Sequence, residues 1–124
     1  MLPHFLVEET TIRESGQSAV FALSDDYRDD LVVTLGITHA LEKERIDVEI
    51  FGSYDGAAWP AKPLASFTPK SYCGAYELTL SPCGARYLKA VWSAKRWSRD
   101  HAQPYFQIFV SVRPARVRVL TAGA

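Results

Sequence analysis

Between Trp92 and Tyr105 the chain reads WSAKRWSRDHAQPY, mixing Lys95, Arg96 and Arg99 with Trp97, His101 and Tyr105. Guanidinium and ammonium groups bind anions, and flat rings stack on sugars or bases. The candidate ligand-binding set is therefore Lys95, Arg96, Trp97, Arg99, His101 and Tyr105. A plainer reading stays open beside it: Trp92 belongs to a core, Trp97 caps one end of that core, and the charges are solvated.

The remaining polar clusters offer less chemistry. Asp25-Asp26-Tyr27-Arg28-Asp29-Asp30 gathers carboxylates of the kind that hold calcium. It lacks the glycine and terminal glutamate of an EF-hand loop, and Arg28 would oppose a cation. It reads as a solvated acidic loop. His4, His39 and His101 are far apart and without a second ligand at helical or hairpin spacing. His39 continues the inward face of a strand and reads as a core histidine. Gly16-Gln17-Ser18 lacks the pattern of a nucleophile elbow, and no phosphate loop or dinucleotide fingerprint occurs. No catalytic residue, metal ligand or cofactor is expected. An enzyme remains the weakest of three functional readings, its site built from dispersed loops.

These residues must be positioned by strands. Arg45–Trp59, RIDVEIFGSYDGAAW, sets Ile46, Val48 and Ile50 against Asp47 and Glu49, the period of a half-buried strand. Asp55-Gly56 then marks a tight turn. The same period recurs with Ala19, Phe21 and Leu23, and with Leu31, Val33, Leu35 and Ile37. It recurs again with Tyr76, Leu78 and Leu80, with Leu88, Ala90 and Trp92, and with Phe106, Ile108, Val110 and Val112. Residues 5–13 read as a first strand and Val117–Val119 as a last. Leu64–Phe67 reads as a short edge strand after Pro60 and Pro63. The helix-like stretch Ala40–Glu44 is too short to matter. About eight short strands without a helix predict a single all-β domain over residues 1–124, an antiparallel two-layer sandwich or jelly roll. The expected core includes Phe21, Val33, Leu35, Val48, Ile50, Leu78, Leu88, Trp92, Ile108 and Val110.

Cys73 and Cys83 bracket an extended segment, which holds their Cα atoms far beyond the ~7 Å a disulfide spans. Unpaired thiols fit a reducing compartment. The start, MLPHFLVEETTIRE, has no basic n-region, and no run approaches the ~18 apolar residues of a membrane span. The expected location is the cytoplasm, with no membrane partner. Net charge is zero, but residues 1–60 carry twelve acids and four bases, and residues 61–124 carry two acids and ten bases. Strands from the two halves either interleave or form faces of opposite charge, which would suit a homo-oligomer or an anionic ligand. A neutral chain without an RNA-binding signature predicts no nucleic-acid partner.

The order of signals resembles the discoidin, or coagulation factor type C, domain among the galactose-binding-like jelly rolls. Leu35-Gly36 ends one strand, Ser53-Tyr54-Asp55-Gly56 with Trp59 ends the next, and Arg86-Tyr87-Leu88 opens a later one. The likeness covers roughly residues 17–112, and the pattern is also similar to that of short bacterial proteins. It implies a jelly roll whose ligands sit on variable end loops, with no binding residue fixed by motif. The leading expectation is a non-enzymatic binding or assembly module with a carbohydrate or protein partner. The alternative is a structural subunit of a larger bacterial or phage-type assembly.

Overall fold

Branched and aromatic side chains at every second position favour a pleated backbone, where they pack against neighbours on one face. In the computed structural model of the chain they form nine strands: β1 (His4–Ile12), β2 (Gly16–Gln17), β3 (Phe21–Ala22), β4 (Leu31–Ala40), β5 (Glu44–Ser53), β6 (Ala65–Ser66), β7 (Gly74–Leu80), β8 (Tyr87–Arg96) and β9 (Phe106–Pro114). The structure describes residues 3–23, 29–40, 44–82, 84–96 and 105–115, with only the backbone of Arg96. The expected last strand, most of the acidic loop and residues 41–43 lie outside them. Among the described residues there is no helix, and so none long and apolar enough to cross a membrane.

Two antiparallel sheets stack as a β-sandwich. One has the order β1-β9-β4-β7; the other has β2-β8-β5-β6, with β3 also on β8. Every neighbouring pair within a sheet combines a strand from the acidic half of the sequence with one from the basic half. Opposite charges therefore sit on adjacent strands. The core lies between the inner faces, where Leu31, Val33, Leu35, Ile46, Val48, Ile50, Leu88, Phe106, Ile108, Val110 and Val112 are fully enclosed.

Four residues expected to face inward depart from that expectation in the structure. Leu78 and Trp92 keep the inward direction but are only half-buried, because β7 is a sheet edge and Trp92 lies beside the two-residue strand β2. Ala19 is exposed: β2 and β3 pair with β8 separately, and Ala19 belongs to neither. His39 is exposed, not a core histidine. Ile37 pairs with Ile108 but His39 pairs with Gln107, so Thr38 is an extra residue in β4. Such a bulge reverses the alternation beyond it.

On the outer face of the four-stranded sheet, Gly36 pairs with Phe109. The phenyl ring lies across the glycine so closely that a Cβ there would fall 2.1 Å from Phe109 Cε2. Alanine is ordinarily better than glycine in a strand by about 0.5–1 kcal/mol. Here the ring would have to leave, together with its edge-on contact with Phe5 at 5.9 Å between centroids. Gly36→Ala is expected to lower stability by about 1–3 kcal/mol in urea unfolding. A stabilised variant would mean that the ring contributes nothing.

Candidate functional site

The chain passes between the sheets three times at one end of the sandwich. Residues 13–15 join β1 to β2, residues 41–43 join β4 to β5, and residues 97–105 join β8 to β9. The common end follows from register, since Ile12 and Ala40 both pair with Phe106 while Glu44 pairs with Arg96. Loops that meet at the end of a rigid sandwich are where such folds carry function.

Of the six sequence candidates, Lys95, Tyr105 and the backbone of Arg96 are among the described residues. Lys95 is exposed opposite Arg45, and it shares the outward parity of Ser93 and Val91. Arg96 closes β8 opposite Glu44. Trp97, Arg99 and His101 lie outside the described residues. Tyr105 is half-buried just before β9 and is held from several directions. Its backbone N–H donates to Glu44 Oε1 at 2.8 Å. The Arg13 guanidinium carbon lies 5.1 Å from its ring centroid. The His39 ring meets it edge-on, also at 5.1 Å.

Arg13, His39 and Glu44 are thus residues that local reading misses. For Glu44 a signal exists. Stepping the inward positions Ile46, Val48 and Ile50 back by two reaches Glu44, which is fully buried. A carboxylate enclosed in this way requires partners, and the Tyr105 N–H is one. Arg13 and His39 come to Tyr105 through long-range pairing and leave no local trace.

Arg13 also borders an open hollow of about 410 Å³ formed with Thr11, Ile12, Glu14, Gln17 and Trp92. Trp92 Nε1 donates to the Glu14 carbonyl at 3.1 Å, which fixes the indole. Gly16 lets the chain lie against that ring, since a Cβ would sit 3.1 Å from Trp92 Cζ2. An indole, a guanidinium and a glutamine amide around one hollow can receive a sugar ring that carries an acidic group. Among the described residues no three of His, Cys, Asp and Glu come together as a metal site. Cys73 is free and exposed; Cys83 lies outside the described residues.

The Asp-Gly turn lies at the opposite end of the sandwich. Asp55 Oδ1 accepts from the N–H groups of Ala57 and Ala58, both at 2.9 Å. Ser53 Oγ accepts from the Gly56 N–H at 3.0 Å and donates to the Ala58 carbonyl at 2.6 Å. Gly56 has φ of 79°, which a glycine adopts without strain. Trp59 carries the Lys89 ammonium 4.4 Å from its ring centroid. Donation from Ala58 and Ala57, then from Ser53, holds the Asp55 carboxyl below the ordinary aspartate value of 3.8. A depressed folded-state pKa adds stability above the unfolded value, and that stability is lost as pH falls through the folded one. NMR titration of the Asp55 carboxyl carbon is expected to show a midpoint below 3.8. A midpoint at or above that value would mean the turn is open in solution.

Comparison with protein-family models, with curated proteins and with solved structures finds no match for this chain.

Proposed function

We propose that the protein is a non-enzymatic binding module that takes an anionic carbohydrate at the end of the sandwich where residues 13–15, 41–43 and 97–105 cross between the sheets. The observation that carries this reading is the position of Arg13, against the Tyr105 ring and at the mouth of the hollow that Trp92 lines. The ring restrains the guanidinium, so less side-chain freedom is lost when an anion binds. Lys95 is exposed on the strand that precedes this end and adds a further base to the reading. The sheet order supports the jelly-roll part of this reading. With β2 and β3 counted as one strand, eight strands run 1-8-3-6 and 2-7-4-5 through the two sheets, as two Greek keys do. Ser53, Asp55, Gly56 and Trp59 agree with the likeness but lie at the other end. A reducing, cytoplasmic setting belongs to the same reading and draws on the free Cys73.

The test is titration of the protein with sulfated or uronic-acid oligosaccharides and with their neutral counterparts. Arg13→Glu is expected to weaken binding of the anionic series at least tenfold and to remove its salt dependence, with melting temperature little changed. Equal affinity of the variant for both series, or no binding by the parent protein, would end the reading. A protein partner in place of a glycan would appear as no affinity for any sugar.

A second reading, a structural subunit of a larger assembly, draws on a separate observation, the outer edge of β7, with which no strand pairs among the described residues.

A further inference from the structure

Sheet edges invite pairing with other chains, and folded proteins blunt them with short strands, bulges or proline. Three edges here are blunted. β2, β3 and β6 are two residues each. β1 is longer but shifts register twice against β9. β7 is different. It pairs with β4 from Leu31↔Leu80 to Ile37↔Gly74 without a register shift, and it contains no proline. Among the described residues no strand pairs with its other side.

The side chains of β7 are also incompletely covered. Tyr76 and Leu78 point inward opposite the enclosed Leu35 and Val33, yet both remain half-exposed. Glu77 points outward, exposed, with Arg113 Nη2 at 3.4 Å. A strand that completed this edge would carry apolar residues on one face and bases on the other. The sequence contains such an alternation in Arg116-Val117-Arg118-Val119-Leu120. Its valines match Tyr76 and Leu78, and its arginines match Glu77.

We propose that Arg116–Leu120 of a second copy of this chain adds to the free edge of β7, so that copies associate by strand exchange. The inference rests on the assembly reading and is independent of the carbohydrate reading. Geometry selects the second copy over the same one. The described chain leaves β9 at Ala115, whose N–H donates to the Asp30 carbonyl at 3.0 Å. From there the far side of β7 is three strand spacings away, roughly 14 Å at ~4.8 Å each. Crossing that distance at ~3.3 Å per residue takes roughly four or five residues, which is the run itself. Within one molecule the run would span strand ends rather than lie along β7. A second copy meets no such limit. Its main chain would pair with β7 in the manner of β-augmentation.

The test combines light scattering across protein concentration with hydrogen exchange of the β7 amides, on the full chain. The parent protein is expected to show at least twice the mass of one chain at low salt and to dissociate as salt rises. Val119→Pro, which removes a ladder donor, is expected to weaken association at least tenfold and to speed exchange of the outward β7 amides. Glu77→Lys alone, and Arg116→Glu with Arg118→Glu, are each expected to dissociate the copies. The three reversals combined in one chain are expected to restore association. Oligomers that persist unchanged in Val119→Pro would overturn the strand exchange while leaving assembly standing. A monomeric parent protein would overturn both. A monomeric parent whose β7 amides still exchange faster in Val119→Pro would mean that the segment folds onto its own molecule, which also overturns the proposal.

Discussion

Phe106→Ala is expected to lower the unfolding free energy by about 3–5 kcal/mol. Phe106 is fully enclosed and is the largest side chain so buried among the described residues. It opens β9 between Ile12 of β1 and Ala40 of β4, at the end where the three crossings meet. Truncation would remove its transfer free energy and leave a cavity that the central strands cannot close, because β9 is fixed by pairing on both sides. Domains have only about 5–15 kcal/mol in total, so a large share of the fold depends on this ring. Urea unfolding measures the loss. A change below ~1 kcal/mol would mean that the end of the sandwich is loosely packed in solution.

Glu44→Ala is expected to cost about 2–4 kcal/mol, from lost packing and an orphaned donor together. The carboxylate is fully buried and accepts the Tyr105 N–H. That bond ties the start of β9 in one sheet to the start of β5 in the other. Glu44→Gln keeps an amide oxygen for the same donor and is expected to cost less than half as much. Glu44→Leu separates packing from hydrogen bonding, since buried charge is often replaced by an apolar group of similar volume without loss. A leucine variant as stable as the parent would show that the hydrogen bond adds no net stability. It is still expected to release Tyr105 and so disturb the neighbouring Arg13. The binding test on this variant therefore reads the positioning role directly: affinity for anionic sugars should fall even where stability does not.

Both residues illustrate what one sequence can and cannot disclose. The inward parity of β4, β5, β8 and β9 is legible because each alternates without interruption over several residues, and packing on one face demands it. Phe106 and Glu44 both lie on such parities. Interruption is what hides the rest. One extra residue, Thr38, turns His39 outward, and nothing in Ile37-Thr38-His39 announces it, because a bulge is decided by the partner strand. Ala19 fails for a related reason: β2 and β3 are two short pairings with a gap between them. Trp92 has the expected direction and the wrong depth, since depth depends on how long the neighbouring strand is. For the candidate site, Tyr105 was legible as an aromatic beside bases. Its partners are Arg13 of the β1–β2 connection, His39 of β4 and Glu44 of β5, and only the sheet order brings them to it.

The position of β1 carries a consequence for how the chain is made. β1 leaves the ribosome before the other described strands, and its sheet partner is β9, the last of them. At ~5–20 residues per second, the first strand waits several seconds for its partner. During that wait Leu6, Val7 and Ile12, which end up buried, have no sheet to enter. β4 has β7 as an earlier neighbour, and β5 has β6, so a provisional structure can form from the middle of the chain outward. The four-stranded sheet closes only when β9 slides between β1 and β4. Nascent chains halted before Phe106 should therefore engage chaperones through their N-terminal strand, and chains released after Pro114 should not.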